Sequence, residues 1–170
     1  MSSTQVQSLG SAQVSALSST QVGTIASNFS TAQVGALTTA QAAGLSATVI
    51  GNLSTAQTSA ISTAAIATFN SAQIAALGAN LTDAQIGVVT TSALAGLSAS
   101  TLGNFANDQI DAISTADVAT LNSTQLGGLS SAQVQNFTNA QVGALTYAQV
   151  SVLMADLSSA QIPYLNPTSI

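Results

Sequence analysis

The chain contains no lysine, arginine, histidine, cysteine, tryptophan or glutamate. Its only charged side chains are Asp83, Asp108, Asp111, Asp117 and Asp156, so 3% of its 170 residues are charged, against about 25% in an ordinary globular protein. Each absence excludes a class of chemistry. Without lysine or arginine there is no counterion-release term for nucleic acid, and a net charge of −5 repels phosphates and anionic membrane surfaces alike. Without histidine or cysteine the usual ligands of zinc, copper, haem and iron–sulfur clusters are missing, and so are the Ser-His-Asp and Cys-His arrangements. No cofactor and no metal are expected, and the chain does not read as an enzyme. Asp108, Asp111 and Asp117 are close enough in sequence to test as a glycosidase pair or a Ca²⁺ site. They match neither an EF-hand nor a nonapeptide calcium repeat, and they read as a solvated cluster within the repeat. No disulfide is possible, and no run of about 18 apolar residues marks a membrane span. No charged or apolar leader follows Met1, so no cleaved signal peptide is expected in this chain.

What is present is a repeat. Ser, Thr and small apolar residues dominate, and the unit is eight residues long: Ser/Thr, a polar or small residue, Ala, Gln, Val/Ile, two small residues, Leu. Clear copies are 30–37 (STAQVGAL), 130–137 (SSAQVQNF) and 138–145 (TNAQVGAL). Nineteen octads tile 2–165 when three four-residue insertions, 26–29, 78–81 and 154–157, are allowed. The insertions follow octads three, nine and eighteen, all multiples of three, which suggests three octads (24 residues) per coil with every insertion at one corner. Sorted by threes, the first class keeps glutamine at position four throughout, in Gln5, Gln33, Gln57, Gln85, Gln109, Gln133 and Gln161, so these are expected to form a structural column. The whole of 1–170 reads as a single solenoid domain.

One octad carries a complete helix-start signature. Ser/Thr at position one is an N-cap, Gln three residues later completes a capping box, and the preceding Leu with Val/Ile at position five makes a hydrophobic staple. An unbroken helix would turn the apolar positions by roughly 80° per octad, so the chain must bend at each Ser/Thr. The expected fold is all-α, a solenoid of helices of five or six residues. These are too short to stand alone and must be stabilised by stacking. Each insertion is expected to add about one helical turn, so that Val22, Ile25 and Phe29 share one side of a longer helix. The alternative is a three-sided parallel β-solenoid with Ala and Val inward and a glutamine ladder. It is disfavoured by the abundance of Leu and Ala and by the three-residue step from position five to eight.

The octads resemble the TAQVxAL tandem repeats of large secreted or surface proteins of bacteria, a likeness that covers nearly the whole chain and implies no catalytic residues. Residues 20–28 (TQVGTIASN) also resemble the first helix of a TAL-effector repeat, whose 34-residue unit and basic surface are absent here. From this architecture the expected function is structural. The first octad begins at Ser2 without a polar cap, Pro163 interrupts the last one, and Tyr164, Leu165, Pro167 and Ile170 form an apolar tail. Open ends favour end-to-end stacking, with Val6, Leu9, Tyr164, Leu165 and Ile170 as interface candidates. The expected partner is therefore the chain itself, in an extracellular filament, sheath or surface layer. The lack of trypsin-type cleavage sites suits such a place. A second reading is ice binding by a face of stacked hydroxyls, Thr38-Thr39, Ser62-Thr63, Thr90-Thr91 and Ser114-Thr115. A third is a segment of a larger repeat adhesin.

Overall fold

The computed structural model describes residues 1–170 and contains no strand. Eighteen short α-helices, from Ser3–Gln7 to Tyr147–Leu153, start at intervals of eight residues. The interval widens to twelve after Ser19–Ile25 and after Ser71–Leu77, where the 3₁₀ turns Ala26–Asn28 and Gly78–Asn80 intervene. Two further 3₁₀ turns, Ile162–Tyr164 and Pro167–Ser169, close the chain. The strand alternative is thus overturned. The local cause is the cap: at Ser30, for example, the backbone is extended for one residue (φ −68°, ψ 162°) before the helix begins, and the capping box fixes that switch. Sixteen of the eighteen N-caps are Ser, Thr or Asn residues whose side chain accepts from the N3 amide; Gly10 and Ala106 have no such side chain. At those two positions the glutamine half of the box alone is made, through the N-cap N–H. No helix is long and apolar enough to cross a membrane.

Two compact units divide the chain, Met1–Val89 and Thr90–Ile170. In the first, Ser11–Ser15 packs on Thr31–Gly35, which packs on Thr55–Ala60, which packs on the turn Gly78–Asn80. A second column runs Ser19–Ile25, Thr39–Ala43, Thr63–Ile66, Asp83–Ile86, and a third contains Ser3–Gln7 on Ala26–Asn28 and Ala47–Gly51 on Ser71–Leu77. In the second unit Ala99–Gly103, Ser123–Leu126, Tyr147–Leu153 and Pro167–Ser169 form one column. Thr115–Val118, Asn139–Ala144 and Ile162–Tyr164 form another, and Asn107–Asp111 packs on Ser131–Gln135. Each unit is therefore an α-solenoid with three sides per coil, a side being the segment from one cap to the next.

The helices that lead into the insertions are the longest in the chain, seven residues each, but they do not run on as one helix through the inserted residues. Helix Ser19–Ile25 ends at Ile25 (φ −129°, ψ −4°), the chain turns, and Ala26–Asn28 forms a short side of its own ending in extended, buried Phe29. At the second insertion Gly78, at φ 48°, breaks the helix after Leu77, a conformation open to glycine but not to a residue with a Cβ. A helix continued through four residues would carry the chain about 6 Å past the corner and take Phe29 out of the core. Nor do the insertions share a corner: the turn at 26–28 rests on Ser3–Gln7, the turn at 78–80 on the column of Thr55–Ala60.

Position five of nearly every octad is fully buried (Val6, Val14, Val22, Ile50, Ile66, Val118 and Val142 all at 0%), and position eight is buried from Leu37 onward. Each such side chain contributes about 1.5–3 kcal/mol on leaving water, which the isolated five-residue helices could not obtain. Between columns the backbones approach closely. A Cβ on Gly128 would lie 2.6 Å from the Ala99 carbonyl oxygen, and one on Gly103 would lie 2.5 Å from the Gly128 oxygen. Gly128→Ala is therefore expected to lower stability by about 1–3 kcal/mol through overpacking. Gly51→Ala, whose Cβ would meet nothing nearer than 3.6 Å, should be neutral or slightly stabilising. Thermal unfolding of the two variants side by side checks the contrast.

Candidate functional site

The chemistry of the fold is concentrated in one side chain, the position-four glutamine. Its Oε1 accepts from the N–H of its own N-cap, as at Gln33 from Ser30 (2.9 Å), completing the start of a helix. Its Nε2 reaches down to the preceding coil and donates to main-chain carbonyls at positions five and eight of the side four back. Gln33 binds Val6 and Leu9 (2.7 and 2.8 Å), Gln85 binds Thr58 and Ile61, Gln133 binds Leu102 and Phe105, and Gln149 binds Val118 and Leu121. The position-five carbonyl already accepts the N–H of its own position eight and takes the amide as a second donor, whereas the position-eight carbonyl lies just past the helix end, where intrahelical donors run out. One carboxamide therefore caps the beginning of one helix and the end of another. The four-residue insertions enter this count as full sides. Gln57 binds the carbonyl of Phe29, at the end of the first insertion, at 2.6 Å. These glutamines are 1–8% exposed, which is tolerable only because the amide is satisfied at both ends.

The seven glutamines singled out by class do not lie in one column. Within Met1–Val89, Gln5, the pair Gln33 and Gln57, and Gln85 fall in three different columns, because each insertion displaces the count by one side. Within Thr90–Ile170, Gln109 and Gln133 lie on helices that pack together, while Gln161 precedes a turn of another column. Gln41, Gln73, Gln125, Gln141 and Gln149, which the class argument passed over, play the same part. The signal for them was present, since the octad motif carries Gln in all three classes.

Of the interface candidates, Val6 and Leu165 face the core, Leu9 is half-buried, and Tyr164 and Ile170 are exposed. The hydroxyls of the ice-binding reading are largely committed: Thr38, Ser62, Thr90 and Ser114 are N-caps, and Thr91 donates to Asp117. Asp108 and Asp111 are exposed, whereas Asp117 is buried and accepts from Thr91 and Ser114. No three carboxylates converge where they could hold a metal ion. A second carboxylate, Asp156, accepts from Ser131 of the coil before it.

Thr58 is the exception in the core. It occupies a position-five site, is fully buried, and its Oγ1 has no hydrogen-bond partner. Thr58→Val keeps the shape and removes the orphaned hydroxyl, so it is expected to raise stability by about 1–2 kcal/mol, read as a higher denaturation midpoint.

This geometry defines a tandem-repeat structural protein, an α-solenoid whose coils are joined by directional amide bonds. The model of the ALTTAQ repeat matches residues 110–147 and, eight residues further on, 118–155. The same wording occurs as ALTTAQ at 36–41 and as ALTYAQ at 144–149, and in each case it spans the corner from a buried Leu, across the cap, to the bridging Gln. No curated protein matches the chain.

Proposed function

We propose that this chain is a non-catalytic structural subunit that polymerises end to end with copies of itself into an extracellular filament, sheath or surface layer. The observation that carries the reading is the coil-to-coil contact. It is directional, it recurs along both units with the same donor and acceptor atoms, and nothing in it closes on itself. A contact of that kind between copies is heterologous, and a heterologous contact that does not close produces a filament. Five carboxylates on 170 residues offer little electrostatic opposition to association. The likeness to repeats of secreted and surface proteins of bacteria, and the lack of lysine and arginine, support a place outside the cell. Nucleic acid and anionic membranes are not its partners, for want of any cationic side chain.

Negative-stain electron microscopy of the purified 170-residue chain at neutral pH tests the reading. Uniform filaments are the expected result, and discrete particles of one chain at every concentration would reject it.

A further inference from the structure

Bridging glutamines are frequent within each unit and scarce in the sides that follow Val89. In Met1–Val89, Gln33, Gln41, Gln57, Gln73 and Gln85 all donate to carbonyls of the same unit. In Thr90–Ile170, Gln125, Gln133, Gln141, Gln149 and Gln161 do the same. Between Gln85 and Gln125, position four reads Ala93, Thr101, Gln109 and Asp117, a single glutamine in four sides. Val49 and Ala65 also lack the amide, but each stands singly between the bridging sides of Gln41, Gln57 and Gln73.

The three replacements do not take over the glutamine's part. Ala93 is buried and its side chain has no polar atom. The Thr101 hydroxyl is paired with that of its own cap, Ser98, at 2.9 Å. The Asp117 carboxylate accepts from the hydroxyls of Thr91 and Ser114. All of these partners lie in Thr90–Ile170. The loss is double, because the caps Thr90, Ser98 and Ser114 also lack the glutamine half of the capping box.

The stability of a stacked-repeat protein is a sum of the repeats' own terms and of terms between neighbouring repeats, so cooperativity breaks where the neighbour term is weakest. We propose that the chain opens in two stages, with Met1–Val89 and Thr90–Ile170 unfolding as separate cooperative blocks, and that Ala93, Thr101 and Asp117 set the division by withholding the amide bridge from the sides that follow Val89. Staged opening belongs to the single chain and needs no filament. In a chain under load it is a device for extension: one block gives way while the coils of the other stay joined by their own glutamines.

Native-state hydrogen exchange of the full chain in rising urea, read by mass spectrometry on peptic peptides, tests this. Core amides of the first block, such as Val34 and Ile66, and of the second, such as Val134 and Val142, should exchange through two openings whose rates differ by at least about tenfold. Thr58→Val acts on the first block alone. It should slow the opening of Met1–Val89 by about five- to thirty-fold and leave that of Thr90–Ile170 unchanged. A93Q and T101Q together return two amides to position four and should make the two openings coincide. A single concerted opening of the unaltered chain, a break far from Val89, or equal slowing of both blocks by Thr58→Val would overturn the division. If the double variant keeps its helix content and still opens in two stages, the missing amides are not the cause and that assignment is rejected. If the double variant does not fold, the Thr58→Val comparison decides.

Discussion

Replacing Gln141 by glutamate is expected to cost about 2–3.5 kcal/mol at pH 7, the upper end being set by the work of protonating a carboxyl of unfolded pKa about 4.3 at that pH, and to cost almost nothing in acid. Gln141 is 1% exposed. Its Oε1 accepts from Thr138 N–H at 2.8 Å, and its Nε2 faces the carbonyl oxygens of Ile110, Asp111 and Ile113 at 3.0, 3.2 and 2.7 Å. In Gln141→Glu one carboxylate oxygen can still serve the cap, but the other meets three carbonyl dipoles in a site that water does not reach. Both burial and those dipoles disfavour the charged form, so the new carboxyl has a folded pKa raised above its unfolded value of about 4.3. An acid with a raised folded pKa destabilises the fold in full above that folded pKa. The penalty fades as pH falls and vanishes below the unfolded pKa. Protonation also restores a donor, since the carboxylic O–H can bond the Ile113 carbonyl as the amide did. Chemical denaturation of variant and parent at pH 7 and at about pH 3.5, compared as differences, gives the result. A penalty of the same size at both pH values would show that shape, not charge, sets the requirement for glutamine. Gln141→Leu supplies the reference, because it loses both caps at every pH and should cost about 3 kcal/mol throughout.

The half of this arrangement that lies within one octad was legible in the sequence. Ser/Thr three residues before Gln is a local signal, and the capping boxes at Ser30, Thr38 and Ser130 form as that spacing predicts. The apolar positions five and eight were equally plain, because burial follows the octad period. The other half of the glutamine was hidden, since its Nε2 partners lie 24 to 31 residues away and are main-chain atoms that leave no mark on composition. The number of sides per coil came out right from a premise that fails, since the insertions share no corner and are themselves sides. A four-residue step has the length of a helical turn, and periodicity alone treats it as one. What decides otherwise is the last residue: Phe29, Leu81 and Leu157 are buried in the place where octads put Leu37 or Leu45. Counting each insertion as a full side then restores a uniform stacking rule and redistributes the glutamines among the columns. Asp117 was misread for a related reason. It looked like one of three acidic neighbours, whereas it occupies a position-four site and its carboxylate takes two hydroxyls inside the stack.

The same assignment makes Phe29→Ala a severe substitution and Ile25→Ala a mild one. Phe29 is 3% exposed, and its backbone places the ring in the core while its carbonyl accepts from Gln57. Removing the ring leaves a cavity that the two neighbouring coils cannot close, because their own carbonyls and amides are already paired across the gap. The expected cost is about 3–5 kcal/mol, comparable with the whole margin of a small domain. Ile25 sits at the corner where helix Ser19–Ile25 ends, half-buried, with Ala26 taking the fully enclosed place beside it. Its truncation should cost about 1 kcal/mol, since less apolar area leaves water there in the first place. A single helix running through the insertion would put Val22, Ile25 and Phe29 on one face, and would make the two truncations similar. Phe29→Leu separates shape from chemistry: the other two insertions end in leucine at this place, so the change should cost under about 1.5 kcal/mol and leave the Gln57 bond intact. Denaturation midpoints for the three variants, taken with hydrogen-exchange protection of the Gln57 side-chain amide, decide between a short side and a longer helix. Near-equal losses at 25 and 29 would restore the longer helix, and with it the single corner for every insertion.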